Sequence, residues 1–163
     1  MQGGKYSELR NKIRHLEGMY QAETKEISEA TLGDAYEVLK QWREVQHHVG
    51  DKDVEDTDVS EIALQNREAL SLVGSILYLD GKPIALYAGF PLDSETIDVL
   101  IGKCVPEAPN YTVYLAMREF LRQNQGSYLY CNLEEDLGIP GIRMVKQKMR
   151  PMMKHEIWNA RRK

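Results

Sequence analysis

The fold of this chain is decided by residues 75–88, which read SILYLDGKPIALYA. Two apolar, strand-like runs flank Asp80-Gly81, and Asp-Gly between such runs is the strongest short hairpin signal because both turn positions need a positive φ. A turn at residues 92–95 follows, and Ile97, Val99 and Ile101 then alternate with the period of a strand. These residues predict three antiparallel strands joined as a meander.

Three helices and a weak strand are predicted before the meander. Residues 5–17 form an amphipathic helix, and residues 20–28 indicate a weak strand or a connector. Thr31 and Asp34 have the pattern of a helix N-cap, and this second helix ends at residues 47–50 with Trp42 on its core-facing side. After a loop at 51–58, a third helix starts near Asp58, capped by the Asp58/Glu61 pair. Its predicted apolar stripe consists of Val59, Ile62, Ala63, Asn66 and Leu70.

After the meander the pattern is helix, strand, helix, strand. Asn110 is expected to cap a helix, residues 128–133 to form a strand, and Pro140 to lie in the first turn of a helix that runs to about Arg150. Residues 155–160 are expected to form an edge strand. The predicted class is therefore α+β, with a mixed central sheet flanked by helices, and this element order matches the GNAT-like acyltransferase fold.

The composition is that of a soluble, intracellular, single-domain chain. It has 163 residues, of which 42% are hydrophobic and 28% charged, with a mean hydropathy of −0.50. No apolar run approaches the roughly 18 residues of a membrane-spanning helix, and the N-terminus lacks the apolar region of a secretory signal. We therefore expect no transmembrane segment and a cytoplasmic location.

The net charge of −4 hides a strong asymmetry. Residues 139–163 contain eight basic side chains and one acid, Glu156, so this segment carries +7 and the other 138 residues carry −11. Such a segment can meet phosphate in a nucleotide, in tRNA or in a lipid headgroup, or it can simply be a solvated surface. Cys104 and Cys131 have no second Cys or His at metal-ligand spacing, so we expect buried thiols and no metal site.

The stretch richest in potential chemistry is residues 132–143, which read NLEEDLGIPGIR. Strand alternation predicts Asn132, Glu134 and Asp136 on one face at the end of a strand. Helical spacing predicts Arg143, Lys146 and Arg150 on one face of the helix that follows. Glu134 and Asp136 are the candidate acid/base pair. The candidate substrate- or phosphate-binding residues are Asn132, Arg143, Lys146, Lys148 and Lys103. The alternative is that these charges only stabilise the corner between strand and helix.

Residues 132–151, with Asp136-Leu137-Gly138, Gly141-Ile142-Arg143 and Lys146, resemble the signature of the phosphatidylglycerol lysyltransferase C-terminal domain family. Residues 4–16 are similar to the segment that joins the two domains of that family. The resemblance implies a GNAT-like fold, found in many bacterial proteins of unknown function and usually as two domains in tandem. It implies that residues 1–19 are the linker helix and residues 20–163 a single GNAT-like domain.

The sequence also departs from that family. Where the family often has Ile-Glu-Lys, this chain has Ile101-Gly102-Lys103, so a carboxylate is missing. The acetyltransferase phosphate-binding loop is expected after this strand, but residues 104–111 contain no glycine to let the backbone approach a pyrophosphate. Binding of coenzyme A in the usual acetyltransferase manner is therefore disfavoured.

Three hypotheses about function follow. The resemblance implies an acyl or aminoacyl transferase, with aminoacyl-tRNA or acyl-CoA as donor and an amine or hydroxyl acceptor such as an anionic lipid headgroup. The second is a non-catalytic GNAT-like binding or dimerisation module, either a homodimer or a domain that has lost its N-terminal partner domain. The third is a nucleic-acid binder that uses the basic C-terminal segment. The sequence assigns no certain cofactor, and donor, acceptor and oligomeric state stay open.

Overall fold

A computed structural model describes residues 3–46, 56–156 and 158. A 3-10 turn (Gly4–Tyr6) precedes the first helix. The helices are α1 (Ser7–Met19), α2 (Leu32–Gln46), α3 (Asp56–Gln65), α4 (Thr112–Gln123) and α5 (Pro140–Lys148). The strands are β1 (Ala22–Glu26), β2 (Val73–Leu79), β3 (Lys82–Pro91), β4 (Thr96–Cys104) and β5 (Tyr130–Asn132). The chain divides into two compact units, residues 1–132 and 133–163. The predicted domain boundary after residue 19 stays a prediction.

The five strands form one mixed sheet in the order β1-β2-β3-β4-β5, with β5 parallel to β4 and all other neighbours antiparallel. The predicted α+β class and the meander are confirmed. Asp80 (φ 50) and Gly81 (φ 78) both have positive φ, as the hairpin signal requires. The Asp80 side chain accepts a hydrogen bond from the Gln21 amide at 2.8 Å, which fixes the start of β1 beside the hairpin.

Helices cover both faces of this sheet and bury its apolar side chains. On one face, α2 and α3 pack on the sheet through a cluster that includes Val38, Leu39, Leu64, Ile76 and Leu86. On the other face, Phe120 of α4 packs against Tyr87 of β3, with ring centroids 6.3 Å apart. The N-terminal helix α1 buries Leu9, Ile13 and Leu16, and its Glu17 pairs with Arg118 of α4. The first unit therefore has a complete core.

The predicted apolar stripe of α3 is wrong in large part. Val59 and Ile62 are 48% and 57% exposed, whereas Ser60, Ala63 and Leu64 are buried. The helix ends at Gln65, before Asn66 and Leu70. The Asp58 and Glu61 carboxylates bind Arg43 of α2 at 3.3 and 2.9 Å instead of capping the helix. The face of α3 that meets the core is therefore the one that carries Ser60, Ala63 and Leu64.

Other local predictions are also corrected. The α4 cap is Tyr111, in the left-handed region at φ 74, and not Asn110. The Asp34 carboxylate accepts a hydrogen bond from the Tyr78 hydroxyl at 2.5 Å, so it ties α2 to β2. Residues 155, 156 and 158 form no strand. The predicted helix end at 47–50, most of the loop at 51–58 and the rest of the predicted edge strand lie outside the described residues.

None of the helices among the described residues is long and apolar enough to cross a membrane. The cytoplasmic location stays a prediction.

Candidate functional site

The candidate acids of the second unit do not lie on a strand. The last strand ends at Asn132, and Glu134 (φ 56), Leu137 (φ 51) and Gly138 (φ 70) then take left-handed backbone conformations. Left-handed residues break the two-residue alternation of a strand, so the prediction that Asn132, Glu134 and Asp136 share a strand face is wrong. The segment forms an irregular corner that leads into α5, where Pro140 occupies the first turn as predicted.

Asp136 and Arg143 form the ion pair that closes this corner. The Arg143 side chain donates to both carboxylate oxygens of Asp136, from Nε at 2.6 Å and from Nη2 at 3.1 Å. The Gly138 amide donates to the same carboxylate at 2.9 Å. These hydrogen bonds, led by those from Arg143, lower the pKa of Asp136 from 3.8 to about 2. A carboxylate with so low a pKa is a weak proton acceptor at neutral pH.

Lys146 supplies hydrogen bonds to the backbone carbonyls of the corner. Its ammonium group donates to three consecutive carbonyl oxygens, those of Leu133, Glu134 (3.2 Å) and Glu135 (2.5 Å). Lysine has three N–H donors, so these carbonyls use all of them. Burial lowers the pKa of Lys146, while the charges of Glu134, Asp136 and Glu135 oppose that shift. The side chain therefore holds the strained backbone together.

The predicted face of three cations on α5 is not formed. Arg143 is bound to Asp136 and Lys146 to the corner carbonyls, while Arg150 lies beyond the helix end at Lys148, with φ 52. Lys148 is exposed in the last turn of α5. The contacts of Asp136, Arg143 and Lys146 are those expected if these charges stabilise the corner. The roles of these residues toward a substrate stay predictions.

In the first unit, β4 and β5 pair over a short length, because β5 ends at Asn132. Their parallel register consists of three pairs and stops at Asp98↔Asn132, whereas β4 continues to Cys104. A bulge between Ala88 and Phe90 of β3 shifts the register against β4 just before this point. Gly89 permits the bulge, because a Cβ there would overlap the Asp98 carbonyl oxygen. Residues of β4 beyond Asp98 have no pairing partner in β5, because β5 ends at Asn132.

A buried carboxylate, that of Asp98, lies at the last residue pair of this register. Asp98 is 6% exposed, and the Asn132 side-chain amide donates to its Oδ1 at 2.5 Å. Sequence analysis identified Asn132 but missed Asp98. The available signal was a single acid within the otherwise apolar run Ile97 to Ile101. An acid in a buried strand requires a hydrogen-bond partner, so such a residue indicates a polar contact inside the fold.

Lys103 lies elsewhere on β4, away from Asn132. It is buried at 7% exposure, and its Nζ is 3.8 Å from the ring centroid of Trp42. Trp42 is half-buried, so it is not the simple core residue that the helical pattern indicated. A cation over the face of an indole ring is stabilised by the ring quadrupole. Lys103 and Asn132 each have a partner in the first unit, and the structure does not bring the two together.

Gly102 stands where the family resemblance implies a carboxylate. A Cβ at this position would lie 3.1 Å from Cε1 of Tyr87, the residue directly across on β3. The buried Tyr87 hydroxyl donates to the Val113 carbonyl of α4 at 3.3 Å. The tyrosine ring thus occupies the space that a side chain at 102 would need, and burial raises the pKa of its hydroxyl.

At the start of α4, backbone amides donate hydrogen bonds to carbonyls of the preceding residues. The amide of Thr112 donates to the Pro109 carbonyl at 3.1 Å, and those of Tyr114 and Leu115 donate to the Tyr111 carbonyl, each at 3.1 Å. Helix N-termini bind phosphate through amides that lack such partners. Together with the lack of glycine in residues 104–111, these bonds disfavour a cradle for a diphosphate.

Neither cysteine has the environment of a reactive thiol. Both are free, and burial raises the pKa of Cys104 to about 12 and that of Cys131 to about 11. Within the described part of the chain, no cluster of three or more His, Cys, Asp or Glu side chains is arranged to hold a metal ion.

Comparisons with known proteins place this geometry in context. The family model described as "Phosphatidylglycerol lysyltransferase, C-terminal" matches residues 1–161. A conserved protein of unknown function from Bacteroides thetaiotaomicron is 28% identical, with a TM-score of 0.83 over 93% of this chain and 52% of its own. The C-terminal domain of a candidate lysylphosphatidylglycerol synthetase from Agrobacterium fabrum is 16% identical, with a TM-score of 0.63 over 92% of this chain and 52% of its own.

An aminoglycoside N-acetyltransferase in complex with CoA is 13% identical, with a TM-score of 0.62 over 88% of this chain and 95% of its own. This likeness concerns the fold, and it confirms the predicted GNAT-like class. No curated protein matches the sequence. The chain spans about half the length of the Bacteroides and Agrobacterium proteins.

Proposed function

Because its residues 1–161 match the family model, the chain belongs to the phosphatidylglycerol lysyltransferase C-terminal family, and we propose that it is an aminoacyl transferase domain. In this proposal, the domain moves an aminoacyl group from a charged tRNA to a hydroxyl or amine acceptor, such as the headgroup of an anionic lipid. An acyl thioester is the second candidate donor.

The unequal length of the two parallel strands carries this proposal, since β5 ends at Asn132, opposite Asp98, whereas β4 continues to Cys104. In the proposal, backbone amides on the β5-facing edge of β4 beyond Asp98 hold the carbonyl oxygen of an acyl group. The acceptor loses a proton to a carboxylate and attacks the ester carbonyl. The ester bond to the tRNA ribose then breaks, and the ribose oxygen takes up a proton.

The start of α4 favours tRNA over coenzyme A as the donor. The amides of Thr112 and Tyr114 are bound to backbone carbonyls and residues 104–111 lack glycine, which disfavours a cradle for the coenzyme A diphosphate. The +7 charge of residues 139–163 suits an RNA backbone. Arg143 and Lys146 are engaged in contacts within the corner. Of the predicted phosphate-binding cations, Lys148 and Lys103 are therefore the proposed candidates for donor binding.

Glu134 is the proposed proton acceptor, and Asp98 is the second candidate. Asp136 is less suited to this role because Arg143 lowers its pKa to about 2, so its proposed role is to position Glu134 through the corner. Asp98 has the buried position and the single amide partner that a catalytic carboxylate needs.

A thermal-shift titration tests the donor. A ligand at about 100 times its Kd adds roughly 2.7 kcal/mol, which raises the Tm by about 5–10 °C at this chain length. We expect this shift with charged tRNA, a smaller one with uncharged tRNA, and none with CoA or acetyl-CoA. A shift with acetyl-CoA alone contradicts the tRNA proposal and indicates a thioester donor.

A transfer assay with labelled aminoacyl-tRNA and phosphatidylglycerol tests the chemistry. We expect Glu134→Gln to lower the rate about 100-fold or more, as for loss of a general base. Asp98→Asn measures the second candidate, and Glu68→Gln, an exposed acid after α3, is the control. If both carboxylate variants transfer at the wild-type rate, neither residue is the base.

The alternative is a non-catalytic GNAT-like module, completed by a second copy or by a further domain. The packing of Tyr87 over Gly102 favours it, because a side chain at the position of the family carboxylate would be crowded by the Tyr87 ring. No thermal shift with any of the four ligands and no transfer would support this alternative.

A further inference from the structure

The second unit exposes large apolar side chains to an unusual extent. Of the thirteen large hydrophobic residues that are exposed in the described part of the chain, five lie within residues 137–158, and none of the described residues of this unit is buried. Met152 and Met153 are 74% and 61% exposed, and Trp158 is 85% exposed. Leu137 and Met144 are about half exposed, at 47% and 53%. A segment that exposes this much apolar surface is a typical interaction site.

Cations lie close to these apolar residues in the sequence. Residues 137–163 contain eight Lys and Arg side chains and a single acid, Glu156. Arg150 and Lys154 flank Met152 and Met153 and are exposed. On α5, Met144 and Lys148 are four residues apart and therefore lie on the same side of the helix. We refer to these apolar residues and the three cations as the C-terminal surface.

The chemistry of the C-terminal surface fits a membrane better than a folded protein. Apolar and basic side chains alternate closely, and lysines are depleted at the centres of protein interfaces. Residues 149–156 have no helix or strand, so they offer no groove for a partner helix and no edge for a partner strand. Methionine and tryptophan can enter the headgroup region while neighbouring cations meet lipid phosphate.

We propose that the C-terminal surface docks this protein on anionic membranes, with Met152, Met153 and Trp158 inserted at the headgroup level and Arg150 and Lys154 bound to lipid phosphates. The occupant is an anionic bilayer surface and not a single lipid molecule in a pocket. The inference deepens the proposed function and rests on it for the lipid acceptor. Its test requires no transfer reaction.

Vesicle sedimentation and tryptophan fluorescence provide that test. The probes are vesicles of phosphatidylcholine alone and of an equal mixture with phosphatidylglycerol. We expect binding to the mixed vesicles only, weakened by salt, with a blue shift of the emission. Because Trp158 is far more exposed than Trp42, we expect Trp158→Phe to abolish the shift.

Matched variants separate insertion from charge. Met152→Ser/Met153→Ser should weaken binding about tenfold, and Met19→Ser/Leu92→Ser, at two positions 59% exposed in the first unit, should leave it unchanged. Arg150→Gln/Lys154→Gln should weaken binding about 30-fold, since each cation near an anionic surface contributes about a fivefold effect. Lys40→Gln/Lys82→Gln, also exposed, is the charge control. All of these side chains are exposed, so the variants should keep the wild-type Tm.

Three outcomes overturn the proposal. The first is no binding to mixed vesicles, and the second is equal loss in the control variants. The third is a dimer in solution that Met152→Ser/Met153→Ser converts to a monomer, which would assign the surface to a second copy. Binding without any aminoacyl transfer would leave the docking surface standing and contradict the proposed function alone.

Discussion

At the scale of single residues, the Asp136 carboxylate is held by three hydrogen bonds that favour its charged form. Arg143 donates two of them and the Gly138 amide the third. The same bonds that make Asp136 a poor base make it a good structural anchor. Its effect on the corner must therefore depend on pH.

We expect the corner to loosen in acid. The pKa of Asp136 is lowered in the folded state, so its stabilising contribution is complete above the ordinary pKa of 3.8 and is lost as the pH falls toward about 2. The protection of the Gly138 amide against hydrogen exchange should fall in this window. Asp136→Asn should remove the pH dependence, and an unchanged profile in that variant would contradict the assignment.

The two cysteines give a second prediction at this scale. With pKa values of about 12 and about 11, Cys104 and Cys131 are almost entirely thiols at pH 8. The thiolate is the reactive form, so both should react with a disulfide reagent at least about 100-fold more slowly than free cysteine. Both should react at the normal rate in denaturant, and fast labelling of the native protein would disprove the buried environment.

At the scale of elements, the packing of β3 against β4 fixes Gly102. A Cβ there would lie 3.1 Å from the buried Tyr87 ring, which is held by its bond to Val113. We expect Gly102→Ala to destabilise the protein by about 1–3 kcal/mol, as for overpacking, measured by chemical denaturation. The loss should shrink in a Tyr87→Leu background. Gly33→Ala, where a Cβ meets nothing within 4 Å, is the control and should not destabilise. Equal effects at both glycines would contradict this account.

A feature of these elements can be predicted from the sequence when adjacent residues determine its conformation, and not when contacts between distant residues do. The Asp80-Gly81 hairpin was predictable because the two turn residues alone require the positive φ that the structure has. The corner was not, since Glu134 and Leu137 adopt left-handed conformations that ordinary residues rarely take, and Lys146 binds the Glu134 carbonyl from a position distant in sequence. The buried face of α3 was mispredicted because it depends on the packing of Ala63 and Leu64 against residues distant in sequence, which periodicity within α3 does not reveal.

At the scale of the whole molecule, the candidate residues are divided between two compact units. Asn132, Lys103 and Asp98 belong to the first, while Glu134, Asp136, Arg143, Lys146 and Lys148 belong to the second. The family motif therefore spans a structural boundary that sequence similarity does not reveal. Alternation along a single predicted strand could not place its acids, because the strand ends where the first unit ends.

The distribution of buried side chains leads to a prediction about these units. Every buried residue among those described lies in residues 1–132, and the sheet is complete at Asn132. We expect a chain shortened to residues 1–133 to unfold cooperatively, with a Tm within about 5 °C of the full chain, because no core side chain is removed. It should fail to bind phosphatidylglycerol vesicles, since the C-terminal surface is absent. Calorimetry and vesicle sedimentation on the same sample measure both properties. A shortened chain that does not fold would mean that the second unit is part of the core's stability, and one that still binds vesicles would move membrane docking to the first unit.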